Sequence, residues 1–419
     1  MRIKKITLLW FLVLLLCGCS KEALVEQNSL EVPVSVAALP LEEATTEYEL
    51  PSPTPLPTPQ PFEEKEITLL MVGDNLMHMG IVATGKQSDG SYNYDILFEG
   101  IANKLATTDI KIINQETILG GNHLGFSGYP HFNSPTEVGD AISRAGFNVV
   151  LHASNHAADQ GINGLQNCID FWDTHPEVAL LGITRDRDEE DTLYLTIHDV
   201  TFAILNYTYG PNVETIPSDI EGHLNVLCNY DEKGHLDYTT IHPQVLEDIK
   251  KAKDNADFVI VCPHWGTEYT TTPSRYQQEF ALEMTKAGAD VIIGTHPHVP
   301  QPIEIIRTED GREALCYYSL GNYLSTQKGG KSMLEGMAYI TFHKAEDRRY
   351  IDYGKTGVYP LVCQYSSGPV RYVGTYYLSE YTEDLAKKHG IHSYGGVNLK
   401  LEDLQQWSIE IFGDWDLSQ

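Results

Sequence analysis

Short apolar segments alternate with amphipathic ones through most of the chain. Residues 67–72, 147–151 and 290–293 are brief runs rich in Val, Ile and Leu, which is typical of strands buried on both faces. Residues 135–146 and 276–287 repeat apolar side chains every three or four positions and therefore predict helices. Alternation at this spacing favours an α/β fold with a mostly parallel sheet covered by helices.

The same pattern predicts the remaining elements. Strands are expected at residues 109–113, 201–207, 257–262 and 314–319, and helices at residues 164–172 and 245–256. A further helix, alone or followed by a strand, is expected at residues 401–412. From about residue 348 the chain turns to Tyr, Val and Gly with weak alternation. That pattern leaves two alternatives, extra strands on the main domain or a small β appendage.

The first 19 residues have the features of an export signal. A basic start precedes an apolar core at residues 6–16, which is too short to span a bilayer. The sequence Leu16-Cys17-Gly18-Cys19 resembles the bacterial lipobox. The resemblance implies cleavage before Cys19, lipidation of its thiol and attachment to the outer side of the cell membrane. An uncleaved anchor and plain secretion are the alternatives.

Composition divides the rest of the chain into three regions. Residues 20–65 predict a tether, because they contain few large apolar residues and alternate proline with other residues from position 51 to position 61. Residues 66–345 are predicted to form the main domain. Residues 346–419 are predicted to form a β-rich C-terminal extension.

Charge and cysteine usage exclude several classes of protein. The net charge of −29 repels nucleic acid, so no nucleic-acid partner is expected. An anionic substrate would need a local positive charge, which bound metal ions could supply. The cysteines beyond the leader are odd in number and far apart, so they predict buried thiols rather than disulfides or a zinc cluster.

Groups able to bind metal follow most of the predicted strands. They are Asp74, His78, Asn114, Glu116, Asn155, His156, His264, His296 and His298. Because open α/β sheets bind ligands at the carboxyl ends of their strands, these groups are expected to converge. Carboxylate, amide and imidazole suit Mn²⁺, Zn²⁺ or Fe²⁺. Their number fits two ions sharing a bridging carboxylate, about 3.5–4 Å apart, which would polarise a water.

Six motifs stand in a fixed order along the chain. They are Gly-Asp-x-x-x-His, Asn-x-Glu, Ser-Asn-His-x-x-Asp-x-Gly, His-Trp-Gly-x-Glu-Tyr, His-Pro-His-Val-x-Gln and Ser-Leu-Gly-Asn. Together they resemble the bacterial capsule-synthesis family, the CapA or poly-γ-glutamate capsule family, over about residues 66–343. That family's domain is similar to the calcineurin-like metallophosphatases. The resemblance implies a layered sandwich of mostly parallel sheets flanked by helices, with metals at the strand ends.

The resemblance also implies a set of metal ligands. Asp74 would bind the first metal together with His298, and Glu116 would take the bridging position. Asn114 would either bind metal directly or support a residue that does. His78 is offset from the expected histidine, so it would either bind metal or orient Asp74. The second metal would be bound by Asn155, His264 and His296.

Further residues of the motifs would act on the substrate. His156 would be the general acid, and Asp159 would fix its imidazole. Glu268 and Tyr269 would meet the substrate or support a ligand, although a local hydrogen-bond pair is the alternative. Gln301 and Asn322 are candidates for the site wall.

Each ligand also has an ordinary structural explanation. Asp74 is in a position where helix caps and turns are common. Asn155 could form an Asx turn, and His264 could simply pack on Trp265.

Three functions are compatible with these residues. The first is a surface-anchored metal-dependent hydrolase or transferase that cuts a phosphoester, amide or ester bond in an envelope polymer, such as poly-γ-glutamate, alongside membrane-embedded capsule synthase proteins. The second is a non-catalytic lipoprotein that binds such a polymer through metals. The third is a secreted phosphodiesterase. A general acid at His156 favours an enzyme, because binding alone does not need one.

Overall fold

Two mixed β-sheets form the frame of the molecule. The computed structural model describes residues 63–187, 189–212, 216–366 and 373–418. The predicted leader, the lipidation site at Cys19 and nearly all of the predicted tether lie outside the described residues. Among the described residues, no helix combines the length and apolar character needed to cross a bilayer.

The first sheet has eight strands. In chain order they are β1 (Lys65–Asp74), β2 (Ile110–Asn114), β3 (Val149–Leu151), β4 (Ala179–Leu181), β13 (Leu334–Lys344), β14 (Arg349–Ile351), β15 (Gly357–Tyr365) and β16 (Val373–Tyr377). The spatial order is β16-β15-β13-β1-β2-β3-β4, with β14 paired to β13. Strands β1 to β4 are parallel, whereas β13 to β16 join antiparallel.

The second sheet has six strands. In chain order they are β5 (Leu193–Ile197), β6 (Val200–Thr208), β9 (Phe258–His264), β10 (Val291–Ile293), β11 (Ile303–Arg307) and β12 (Glu313–Tyr317). The spatial order is β11-β12-β10-β9-β6-β5, parallel in the middle and antiparallel at both edges. A separate hairpin contains β7 (Cys228–Tyr230) and β8 (Leu236–Ile241).

Helices connect the strands. They are α1 (Met79–Thr84), α2 (Ala102–Leu105), α3 (Glu137–Ala145), α4 (Gly161–Trp172), α5 (Pro243–Asn255), α6 (Arg275–Ala287), α7 (Glu383–Lys388), α8 (Ile391–Tyr394) and α9 (Leu401–Phe412). As predicted, α3 stops at Gly146, which adopts a left-handed φ of 94° and donates its N–H to the last turn. A capping box of Ser274 and Gln277 begins α6.

The two sheets pack face to face through apolar side chains. Phe342 of β13 contacts Phe202 of β6 and Phe258 of β9, with ring centroids 5.1 and 4.7 Å apart. Met71 of β1 and Cys262 of β9 also meet across the interface, with their sulfur atoms 3.9 Å apart. Helix α5 covers the other face of the second sheet against β6 and β9. The core is therefore a sandwich of two sheets with helices outside.

The predicted fold class, a layered α/β sandwich with parallel strands flanked by helices, is confirmed. The structure adds antiparallel strands at the edges of both parallel cores. Of the two alternatives for the end of the chain, β15 and β16 extend the first sheet next to β13. The five cysteines within the described residues are buried and free, as predicted.

Candidate metal centre at the strand ends

The carboxyl ends of the parallel strands of both sheets meet at one place, and most of the predicted ligands lie there. Asp74 is the last residue of β1, and Glu116 lies two residues beyond β2. His264 ends β9, while His296 and His298 follow β10. The first sheet thus supplies carboxylates and the second sheet supplies imidazoles. All five side chains are buried.

Local backbone features explain how the ends come so close. At Gly73 a Cβ would lie only 2.0 Å from the carbonyl oxygen of Gly321, so a larger residue would push β1 away from the Ser-Leu-Gly-Asn loop. The pairing of β1 with β2 shifts register between Val72 and Asp74, which turns the end of the strand. On the facing loop, His296 and His298 adopt positive φ values of 98° and 58°. Such conformations are strained for residues other than glycine and concentrate at functional sites.

Among the described residues, three groups of ligand atoms lie close enough to hold a metal ion. The first contains Asp74, Glu116 and His298, and the second contains Glu116, His264 and His296. Within each group the atoms lie within 4.8 Å of one another. The two groups share Glu116, the residue for which a bridging role is predicted. A third group joins the exposed Glu268 to His296 and His298, which adds a metal-binding alternative to the substrate role predicted for Glu268.

The donor atoms at the centre fit a cation. Both carboxylate oxygens of Glu116, Oδ1 of Asn114 and Nδ1 of His296 are buried and have no hydrogen-bond partner among the described residues. A buried polar atom without a hydrogen-bond partner destabilises the folded state, and most buried polar groups in proteins are paired. Divalent cations would satisfy atoms of this kind, because each offers a lone pair.

Electrostatics also favour a cation here. Burial raises the pKa of the Glu116 carboxyl well above its usual range. Burial, followed by the neighbouring histidines, lowers the pKa values of His264 and His296 well below their usual range. Burial acts to lower the pKa of His298 too, but Glu116 and Asp74 outweigh it and raise that pKa to about 9. Positive charge supplied by a bound ion would favour carboxylate and neutral imidazole, the forms that ligate.

Two asparagines hold these ligands. Nδ2 of Asn114 donates to Oδ1 of Asp74 at 2.8 Å, which leaves its own Oδ1 for another partner. Oδ1 of Asn155 lies 2.9 Å from Nε2 of His264, and its Nδ2 donates to Asn212 at 3.2 Å. Both amides therefore lie among the predicted ligands, and their ligand roles stay predictions.

His156 and Asp159 form the pair expected for a general acid and its partner. Nδ1 of His156 lies 2.7 Å from Oδ2 of Asp159, and the same oxygen accepts the backbone N–H of Phe132 at 2.7 Å. The ring of Phe132 packs edge-on against the imidazole, with centroids 4.7 Å apart. Because Nδ1 is engaged, Nε2 is the nitrogen left to meet a ligand in the cleft.

His78 does not join the other predicted ligands. It precedes α1, and its backbone carbonyl accepts the N–H groups of Ile81 and Val82. Its ring turns toward Phe132, and its Nδ1 accepts the N–H of Thr326 at 3.4 Å. Burial, together with His298 and His156, lowers its pKa to about 4. The geometry therefore supports neither of the two predicted roles and places His78 in the cleft wall.

The remaining predicted residues support the site in different ways. Oδ1 of Asn322 lies 2.9 Å from Nδ1 of His298, so it orients that ring. Tyr269 is about half exposed, and its ring centroid is 6.0 Å from that of His298. Gln301 is buried away from the cleft, where its Nε2 donates to the carbonyl of Thr270 at 2.7 Å. It holds the loop that carries Glu268 and Tyr269 instead of forming a wall.

Sequence reasoning missed several residues around the centre. Tyr209 packs on His296 with ring centroids 4.7 Å apart, and Oγ1 of Thr295 lies 3.0 Å from Nδ1 of His264. Asn212 bonds to Asn155. Tyr209 and Asn212 come just after β6, so the rule that polar groups follow strand ends could have found them. The buried Glu335, which accepts the N–H of Gly73 at 2.7 Å, gave no such signal.

Comparisons with known proteins agree with the motifs. A family model described as Bacterial capsule synthesis protein PGA_cap matches residues 68–327. Capsule biosynthesis protein CapA of Bacillus anthracis is 29% identical over 291 residues, covering 67% of this chain and 64% of that protein. PGA biosynthesis protein CapA of Bacillus subtilis (strain 168) is 29% identical over 215 residues, covering 51% of each. The chain thus spans less than two thirds of either relative.

A solved structure of a hypothetical protein from Thermus thermophilus is more distant. It has a TM-score of 0.39 and 14% identity, and the match covers 70% of this chain and 99% of that one. The likeness is too low to bear on the fold. The family model, by contrast, matches more than half of the chain and includes all six motifs. The resemblance seen in the motifs is thereby confirmed, and the protein belongs to the bacterial capsule synthesis protein family PGA_cap.

Proposed function

We propose that this protein is a metal-dependent hydrolase that acts on an anionic polymer of the cell envelope. The observation that carries the proposal is Glu116, which is buried between two groups of ligand atoms and has no hydrogen-bond partner for either oxygen among the described residues. A buried, unpaired carboxylate shared by two such groups is the arrangement expected of a ligand that bridges two ions.

The ligands divide between two positions. Asp74, Glu116 and His298 would hold one ion, and Glu116, His264 and His296 would hold the other, with Asn114 and Asn155 as further oxygen donors. This mixture of imidazole, carboxylate and amide suits Mn²⁺, Zn²⁺ or Fe²⁺. Bound there, such ions would supply Lewis-acid stabilisation of the charge that develops when a phosphoester or amide bond is attacked by water.

The protein's own residues would complete the reaction. His156 would protonate the leaving group through Nε2, since Asp159 holds its other nitrogen at 2.7 Å. Asn322 would keep His298 oriented, because it lies 2.9 Å from Nδ1 of that ring. Tyr269 and Glu268 line the cleft next to His156 and would contact the substrate.

The relatives' names suggest the polymer. One is named for capsule biosynthesis and the other for PGA biosynthesis. We propose a role in making or processing capsule polymer, with poly-γ-glutamate as the first candidate and membrane-embedded synthase proteins as partners. The predicted lipid anchor at Cys19 and the tether would hold the enzyme at the outer side of the cell membrane.

Metal content and turnover test the proposal together. The full chain, its Asp74→Ala and His296→Ala variants and the exposed control His235→Ala would be analysed by inorganic mass spectrometry after purification and metal supplementation. We expect about two transition-metal ions per chain in the wild type and the control, and fewer in the other two variants. No metal in the wild type after supplementation would contradict the hydrolase.

Turnover separates an enzyme from a binding protein. We expect His156→Ala to retain its metal and to hydrolyse a bis-aryl phosphate or a γ-glutamyl amide about 10²–10⁴-fold more slowly than the wild type. Metal-dependent polymer binding with no turnover in the wild type would instead favour the non-catalytic alternative.

A further inference from the structure

The cleft beside the candidate metal centre has a basic wall. Its volume is about 830 Å³, and His156, Glu268 and His298 line it on the side of the centre. Lys328, Lys331 and Tyr394 also line it, and we call these three residues the basic wall. We propose that the basic wall is a subsite that binds carboxylates of an extended anionic polymer beside the bond to be cut. This inference rests on the proposed function and names the recognition element for its substrate.

The charges of the basic wall are available to a ligand. Neither ammonium group has a carboxylate within 4.0 Å among the ion pairs of the described residues, although the chain has a net charge of −29. Nζ of Lys328 instead lies 4.9 Å from the ring centroid of Tyr394, and Nζ of Lys331 lies 5.8 Å from that of Trp407. The aromatic rings steady both side chains without neutralising them, because a cation–π contact leaves the charge in place.

Hydrogen bonds fix the basic wall relative to the metal centre. Gln327, next to Lys328 in sequence, donates from Nε2 to the hydroxyl of Tyr269 at 3.2 Å. Its Oε1 accepts from Nδ2 of Asn322 at 2.8 Å, and Asn322 in turn lies 2.9 Å from His298. A polymer unit held by the lysines would therefore be placed at a defined distance from the metal ligands, as positioning for catalysis requires.

The end of the chain builds part of this subsite. Tyr394 closes α8, and Trp407 lies in α9, both beyond the residues matched by the family model. Trp407 also packs against the loop of the lysines, since a Cβ at Gly330 would lie 3.1 Å from its ring. The choice of polymer can thus depend on a segment outside the matched region.

The cleft also continues beyond His156. A second lobe of about 490 Å³ is lined by Pro130, His131, Pro211 and Asn212, and it shares Tyr129, His156 and Glu268 with the first lobe. Space in both lobes next to the general acid accommodates a chain that runs through the site. The geometry therefore fits an internal bond of a polymer, with the basic wall holding carboxylates on one side of it.

The test measures binding of a defined polymer. The full chain, supplemented with Mn²⁺, would be titrated into fluorescein-labelled sodium poly-γ-glutamate at low and high NaCl, with fluorescence anisotropy as the readout. For Lys328→Gln/Lys331→Gln we expect an affinity about five- to tenfold lower than wild type and a weaker salt dependence. Lys328→Arg/Lys331→Arg should bind like the wild type. The control Lys233→Gln/Lys286→Gln removes two exposed charges elsewhere and should also bind like the wild type.

Several outcomes would overturn the subsite. One is an unchanged affinity for poly-γ-glutamate in Lys328→Gln/Lys331→Gln when its melting temperature is also unchanged. Another is an equal loss of affinity in the control variant. The third is lysine-dependent binding that is tighter for polyphosphate than for polyglutamate. Metal content and hydrolysis measured on the same samples keep the two proposals apart. Polymer binding that depends on the two lysines, without hydrolysis, would support the subsite and contradict the hydrolase. Hydrolysis with binding that does not depend on the lysines would support the hydrolase and contradict the subsite.

Discussion

His296 at the strand ends and His389 near the end of the chain are both buried, but the surroundings of their ring nitrogens differ. At the strand ends, Nδ1 of His296 and both oxygens of Glu116 have no hydrogen-bond partner among the described residues. Near the end of the chain, Nε2 of His389 donates to the carbonyl of Cys363 at 2.8 Å, and its Nδ1 accepts the N–H of Ile391 at 3.0 Å. Burial alone is common to both regions. Of these two histidines, only His296 has a ring nitrogen without a partner among the described residues, which marks it as the candidate metal ligand.

We expect the largest effect on metal binding from replacing Glu116, the carboxylate shared by two groups of ligand atoms. Glu116→Gln keeps the shape of the side chain but removes its charge, so we expect metal affinity to fall by at least about 100-fold and turnover to fall with it. Equilibrium dialysis with metal analysis would measure the affinity.

Glu335→Gln is a matched control. Glu335 is buried too, its Oε2 lacks a hydrogen-bond partner among the described residues, and burial raises its pKa well above the usual range. A protonated carboxyl resembles an amide, so this variant should keep its metal. Equal metal loss in both variants would mean that changing any buried carboxyl near the strand ends disturbs the centre, and would contradict a specific ligand role for Glu116.

A smaller effect is expected from the residue that orients a ligand. Asn322→Ala removes the oxygen 2.9 Å from Nδ1 of His298, so metal affinity should fall about 10- to 100-fold. Asn322→Asp retains an oxygen there and should restore most of the loss. Both affinities can be measured by competition with a chromophoric chelator. If Asp fails to rescue while the fold is intact, the oxygen is not what holds the ring.

The smallest effect concerns the fully paired histidine. Burial lowers the pKa of His389 to about 4 from an ordinary 6.5. The unfolded chain therefore binds the extra proton first as pH falls, and the free energy of unfolding decreases between about pH 6.5 and pH 4. The loss at pH 5 should be about 2 kcal/mol.

His389→Gln should remove that part of the pH dependence. Denaturant unfolding at pH 7 and pH 5 measures the free energy of unfolding of both proteins. The change with pH is then compared between wild type and variant, so contributions from other buried histidines cancel. An identical pH dependence in the variant and the wild type would show that His389 does not titrate on unfolding.

Local pattern predicted the helices α3 to α6 and the parallel strands other than the short β4, because buried strands and amphipathic helices leave a direct signature in hydrophobic spacing. The polar residues after β1, β2, β9 and β10 were predictable from the same rule. The antiparallel strand β13 was not predicted, and the strands expected after residue 348 could not be assigned to a sheet, since their pairing depends on contacts far apart in sequence. The positions of His78 and Gln301 likewise depend on contacts that local sequence does not reveal. Each belongs to a motif, yet the direction of its side chain is set by Phe132 and Thr326 in one case and by Thr270 in the other.

The position of β13 has a practical consequence for how the protein can be divided. Its residues, Leu334–Lys344, lie between β1 and β15 and follow the end of the family match at residue 327. A fragment cut to the matched residues would leave β1 without its antiparallel neighbour and expose an apolar edge, which invites aggregation. The unit that sequence comparison recognises is therefore smaller than the unit that folds.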